Sequence, residues 1–164
     1  MTTRYIGIDP GSAGAIVAID DYDNVLGIKD LNKDYYTYWT IQQDWCDIVG
    51  SYEETYVAVE DVCGRPGQSC QANTTFMKLA GMAELAGYSI GEMALVKPQA
   101  WKKHFGLIFP KTMTKAEKKR KSVELARELY PDVADQLLYS KDGRAEALLI
   151  ARYLKDVQEN NGAN

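Results

Sequence analysis

Four acids stand where the chain changes from one element to the next, and together they could hold hard divalent cations. Asp9 follows the apolar run Arg4-Tyr5-Ile6-Gly7-Ile8, and Glu60 follows Tyr56-Val57-Ala58-Val59. Asp142 and Glu146 flank the start of a final apolar segment, four residues apart, which sets both on one face of a helix. Carboxylate oxygen is the ligand magnesium prefers. Two such ions about 4 Å apart activate a water and stabilise the leaving oxygen of an in-line phosphodiester displacement. Each acid also has an ordinary reading. Asp9 before Pro10-Gly11 suits a turn, and Glu60-Asp61 suits the solvated start of a loop. Asp142 suits a helix N-cap, and Glu146 an exposed helix acid. Joint placement at element ends favours the chemical reading.

The elements that must position these acids follow from periodicity. Arg4–Ile8, Ala15–Ile19 and Val25–Lys29 read as three short strands with tight, turn-rich connections, an antiparallel meander. Tyr38, Ile41, Trp45, Ile48 and Val49 mark one face of a helix within Tyr35–Ser51. Thr55–Val59 is a β-branched strand ending at Glu60, and residues 61–72 are a loop rich in Gly, Pro and Gln. Asn73 or Thr74 can cap a helix that runs to Gly87 with Phe76, Leu79, Ala80 and Ala83 on one side. Ala80, Gly81, Ala83 and Ala86 would let another backbone approach closely. Met93–Val96 is a fifth strand. Thr114-Lys115-Ala116-Glu117 forms a capping box for a helix reaching about Tyr130, stopped by Pro131. The last helix begins near Asp142–Arg144 and carries Ala147, Leu148, Ile150, Ala151 and Leu154. A meander followed by strand–helix units predicts an α/β domain with a five-stranded mixed sheet and helices packed on it. One domain over residues 1–157 is expected, with 158–164 as a fraying polar tail.

Composition narrows the chemistry. The one histidine, His104, makes a Ser-His-Asp triad or a histidine-rich metal site a poor fit; it reads as a helix residue. Three cysteines without a CxxC pair argue against a disulfide framework or zinc ribbon and suit a reducing, cytoplasmic setting. No apolar run approaches the ~18 residues of a membrane span. The formal charge of −4 conceals an asymmetry: residues 97–121 hold nine Lys or Arg against the single acid Glu117, a net +8 that leaves −12 on the remainder. A basic face on an acidic body suits a polyanion. An ordinary solvated lysine face is the alternative.

The motifs resemble a known family. Gly7-Ile8-Asp9-Pro10-Gly11-Ser12 resembles the first motif of the RuvC family of Holliday-junction resolvases, within the ribonuclease H-like superfamily. Val57-Ala58-Val59-Glu60-Asp61-Val62 is similar to its second acidic strand. The run Asp142-Gly143-Arg144-Ala145-Glu146-Ala147-Leu148-Leu149-Ile150-Ala151 is similar to its C-terminal motif, above all in phage-type members. Pro98-Gln99-Ala100-Trp101-Lys102 also resembles phage versions. The motifs occur in the family's order across nearly the whole chain.

The resemblance implies a ribonuclease H-like fold with helices on both faces of the sheet. It also implies a homodimeric endonuclease that nicks four-way DNA junctions symmetrically with Mg2+ or Mn2+, in the bacterial host cytoplasm if phage-encoded. By carry-over, Asp9, Glu60, Asp142 and Glu146 are the catalytic and metal-binding acids. Lys102, Lys103, Lys111, Lys115, Lys118 and Lys119 are the candidates for contact with DNA phosphates, with Lys115 or Lys118 placed to stabilise developing charge. The helix from Asn73 to Gly87 is the expected dimer element.

Two departures from the cellular pattern stand out. The C-terminal acids are four residues apart rather than three, and no aromatic residue follows Glu60 closely; Arg65 or Gln68 could contact DNA there instead. Other readings are a related nuclease acting on branched DNA or an RNA–DNA hybrid, an inactive DNA-structure-binding protein, and, from the first motif alone, an actin-like ATPase.

Overall fold

Strand order, rather than chain order, is what brings Asp9 beside Glu60. The computed structural model describes residues 2–11, 13–31, 54–64 and 67–162. It contains β1 (Thr3–Asp9), β2 (Ala15–Asp20), β3 (Val25–Asp30), β4 (Glu54–Glu60) and β5 (Glu92–Val96). The helices are α1 (Cys70–Ile90), α2 (Pro98–His104), α3 (Lys115–Leu129) and α4 (Asp142–Gly162). The sheet order is β3-β2-β1-β4-β5. β1 and β2 pair antiparallel, as do β2 and β3, while β1–β4 and β4–β5 are parallel. This is the expected mixed sheet. The helix expected over Tyr35–Ser51 lies outside the described residues.

Alternation along the strands sorts side chains to two faces. Ile6, Ile8, Ile16, Ala18, Val57 and Val59 pack on one face with Leu79, Ala83 and Ala86 of α1. Tyr5, Ala15, Val17, Ile19 and Ala58 pack on the other with Trp101 of α2, Val123 and Ala126 of α3, and the apolar stripe of α4. The sheet therefore lies between helical layers. The parity also aims Asp9 and Glu60 at the α4 side, since each is an odd step from an inward neighbour on the α1 side.

Helix α1 differs from its expected bounds at both ends. Ser69, not Asn73 or Thr74, is the N-cap, its Oγ accepting from the Ala72 N–H at 3.2 Å. Thr74 lies inside the helix and donates to the Cys70 carbonyl at 2.9 Å, a satisfaction open to any mid-helix threonine. Gly87 does not end the helix. It is buried against the sheet, where a Cβ would come within 2.9 Å of Met93 Cγ and 3.2 Å of Val59 Cγ2, so its small size serves packing. The capping box of α3 forms as expected: Thr114 Oγ1 accepts from the Glu117 N–H and Glu117 accepts from the Thr114 N–H. Helix α4 continues to Gly162 through the polar residues read as a tail. Lys155 and Glu159 approach within 3.8 Å, and Asn160 donates to the Asp156 carbonyl at 2.6 Å.

The start of α4 is clamped to the end of β3. Arg144 donates from Nε to Asp30 Oδ1 at 2.6 Å and from Nη2 to Asp30 Oδ2 at 2.9 Å, and Lys141 joins the same carboxylate. The Arg144 hydrogen bonds hold the Asp30 carboxyl down to about 2. Asp30→Asn is expected to cost about 1 kcal/mol near pH 7, a figure reduced for solvent screening because the carboxylate is 34% exposed. A carboxyl depressed in the folded state contributes fully above its unfolded value and loses that contribution as pH falls toward 2. Thermal unfolding of wild type and variant should therefore differ at pH 6 and converge near pH 2.

Candidate active site

Asp9 and Glu60 each stand one residue beyond Ile8↔Val59, the last Cα pair between parallel strands β1 and β4. Two neighbouring strands thus end in carboxylates on the same face. Helix α4 crosses that face very closely. A Cβ on Gly7 would meet the Ala147 carbonyl oxygen at 2.1 Å and the Ala151 nitrogen at 2.4 Å. A Cβ on Gly143 would meet the Ala13 carbonyl oxygen at 2.2 Å and Gly14 Cα at 2.7 Å. Gly143, Ala147 and Ala151 recur at four-residue intervals, forming a small-residue stripe that rests on β1 and the β1–β2 turn. Asp142 and Glu146 directly precede the first two residues of that stripe. Close contact at the glycines carries them to the strand ends.

The four acids interact electrostatically. Burial pushes the Asp9 carboxyl up to about 8, helped by the negative charges of Glu146, Glu60 and Asp142 and opposed by the Gly11 N–H. That N–H donates to Asp9 Oδ1 at 3.2 Å, so the turn reading of Asp9 is also realised. Glu146 is raised by burial and by Glu60 and Asp142, against the opposing pull of Lys102 and Lys119. Glu60 is 8% exposed, and its Oε1 accepts from Trp101 Nε1 at 3.0 Å within the core. Asp142 forms an ion pair with Lys119.

The lysines seen to act on these acids are Lys102 and Lys119. Lys102 also lies over the Trp101 ring, Nζ 4.8 Å from its centroid. Lys115 and Lys118, the sequence-based candidates for charge stabilisation, are exposed and half-buried on α3; Lys103 and Lys111 are exposed. Arg65 lies outside the described residues, and Gln68 is exposed just before Ser69. His104 is a helix residue, as expected, and its Nε2 meets Asp156 at 2.7 Å. Cys63 and Cys70 are exposed thiols. Among the described residues no helix is long and apolar enough to cross a membrane.

The contact of Trp101 with Glu60 and the close-contact role of Gly7 and Gly143 escaped the sequence reading, although the Pro98–Lys102 segment itself was singled out. The orienting contact of Trp101 with Glu60 spans 41 positions, so no local pattern carries it. Glycine inside a strand is the one available signal for a backbone crossing.

The donor set suits a hard divalent cation: it is all carboxylate oxygen, with buried negative charge that the nearby lysines offset only in part. Among the described residues, as they stand, no three or more such side chains close around one ion. Lys119 holds Asp142, and Trp101 holds one oxygen of Glu60.

No protein-family model and no curated sequence matches the chain. Solved structures do. Thermus thermophilus RuvC in complex with a Holliday-junction substrate superposes with a TM-score of 0.57 at 13% identity, over 97% of this chain and 96% of that one. Another Thermus thermophilus RuvC structure gives 0.53 at 15% identity, over 98% and 97%. The described residues thus share the fold of these RuvC structures.

Proposed function

We propose that this protein is a metal-dependent endonuclease that resolves four-way DNA junctions by paired, symmetric nicking. The observation that carries the reading is geometric: Asp9 and Glu60 end neighbouring parallel strands, and the helix that starts with Asp142 and Glu146 packs backbone to backbone against β1 at Gly7. The fold shared with RuvC and the net +8 of residues 97–121 support it. The RuvC structure bound to a Holliday junction points to the same substrate class, and the Pro98–Lys102 and Asp142–Ala151 segments favour the phage-type branch.

Asp9, Glu60, Glu146 and Asp142 would hold Mg2+, with Mn2+ able to substitute. The ion, when bound, supplies Lewis-acid stabilisation of a phosphodiester displacement. The chain's own groups do the rest. Trp101 fixes the Glu60 carboxylate and the Gly11 N–H fixes Asp9. Lys119 neutralises Asp142 and lies where it can follow a phosphate. Lys102, Lys103, Lys111, Lys115 and Lys118 extend positive charge along the DNA backbone. The outward side of α1 exposes Met77, Leu85 and Tyr88, which suits pairing with a second copy and hence two sites for a two-fold junction.

The test is a synthetic four-way junction with Mg2+ or Mn2+. Paired nicks at symmetric positions are expected. Cleavage of an RNA–DNA hybrid in preference to the junction would move the reading to the related nuclease, and binding without cleavage in either metal would remove the enzymatic claim. Trp101→Phe keeps the buried ring and removes the donor to Glu60. Loss of a partner that orients a ligand should weaken Mg2+ dependence or rate by about 10- to 100-fold. A metal titration of cleavage by the variant checks this, and wild-type behaviour would show that Glu60 needs no orienting partner.

A further inference from the structure

Tyr139 lies in the turn three residues before Asp142, with its surface 49% exposed. Two guanidiniums attend its ring: Arg120 Cζ lies 5.3 Å and Arg127 Cζ 5.5 Å from the centroid. Glu124 holds Arg120 Nε at 3.1 Å, which fixes one of them. The Tyr139 ring, Arg120, Lys119 and Ala116 line a hollow of about 420 Å³ that opens to solvent. The same Lys119 binds Asp142, so this hollow adjoins the acidic site. Tyr139 belongs to neither core cluster, so core packing gives no account of an exposed ring set among three cations.

A nucleotide brings the matching chemistry. Its base offers a π face to the tyrosine ring and to a guanidinium plane, and its phosphate offers charge to Lys119 and Arg120. Bases in a continuous duplex keep their faces stacked, so the ring can serve only a base that has left the stack.

We infer that the hollow is a binding subsite for one unstacked nucleotide of a DNA strand, its base on Tyr139 and its phosphate between Arg120 and Lys119, next to the phosphate to be cut. The inference rests on the nuclease reading of the neighbouring acids and adds a strand-binding residue that the acidic motifs do not contain. It gives the protein a preference for branched or frayed DNA over intact duplex.

The experiment is a titration of the full chain, in EDTA, with a short single-stranded DNA carrying one 2-aminopurine, beside a blunt duplex of the same length. Wild type is expected to bind the strand and change the 2-aminopurine fluorescence. Tyr139→Leu should weaken strand binding by about tenfold, the scale of one base–aromatic stack, and lose the fluorescence change. Tyr139→Trp should retain both. Arg120→Gln should lower the salt dependence by about one phosphate contact. The inference is overturned by no strand binding by wild type, by a Leu variant indistinguishable from wild type, or by equal weakening of blunt duplex and single strand. A Trp variant as impaired as the Leu variant would overturn it too, because the ring would then matter only to the local fold. No step requires cleavage, so a wild type that fails to cut the junction refutes the nuclease reading while leaving this measurement readable.

Discussion

Asp9→Asn is expected to abolish Mg2+-dependent junction cleavage and, in EDTA at pH 8 or above, to yield a protein more stable than wild type. The two effects have one cause. Burial and the charges of Glu146, Glu60 and Asp142 hold the Asp9 carboxyl up to about 8. In the unfolded chain the same group ionises near 3.8. Between those values the folded state carries the extra proton, so wild-type stability falls as pH rises. Asparagine has nearly the same shape and keeps an oxygen for the Gly11 N–H, but carries no charge. Its advantage should be absent near pH 4, grow through neutrality, and level off above about 8 at a gain of up to about 6 kcal/mol, the linkage equivalent of the full shift.

Saturating Mg2+ should reverse the order. An ion bound only by the folded wild type raises its stability by mass action, while the variant has lost a ligand. Cleavage should fall at least about a thousandfold, as expected when a metal-binding carboxylate is lost from phosphodiester chemistry, and Glu60→Gln should show a comparable loss. Thermal unfolding across pH with and without Mg2+, together with the junction assay, checks all of this. A variant less stable than wild type in EDTA at pH 9 would show that the acids are not mutually repulsive.

The second large effect belongs to a residue with no side chain. Gly7→Ala is expected to destabilise the protein by about 3 kcal/mol or more, beyond the ordinary cost of overpacking. The added Cβ would lie 2.1 Å from the Ala147 carbonyl oxygen and 2.4 Å from the Ala151 nitrogen. Both are backbone atoms of one long helix, and β1 is the middle strand of five, so neither side can yield cheaply. That loss is a large share of a typical ~5–15 kcal/mol total. Any variant that folds should carry α4 displaced from β1, with Glu146 and Asp142 moved away from Asp9 and Glu60, and lose cleavage as well. Gly81→Ala is the control. Gly81 is exposed mid-helix with nothing within 4 Å of a built Cβ, so in the single chain, before α1 pairs with a second copy, the change should stabilise by roughly 0.5–1 kcal/mol. Urea denaturation of both variants measures the contrast.

The sequence by itself determined the sheet and its approximate elements. Short apolar or β-branched runs between turn formers marked all five strands, and the Thr114–Glu117 box located α3, because these signals are local. It also supplied the four acids and their order. It missed the true start of α1 at Ser69, since several capping residues compete between 69 and 74 and only the packing of Leu79, Ala83 and Ala86 on the sheet selects the helix frame. Tertiary structure alone decided which groups meet. Parallel pairing of β1 with β4 put Asp9 beside Glu60, two close glycine contacts drew α4 across to them, and Trp101 and Lys119 arrived from 41 and 23 positions away. Such contacts arise from strand order and from how near two backbones can come, and neither is encoded in the spacing of residues along one element.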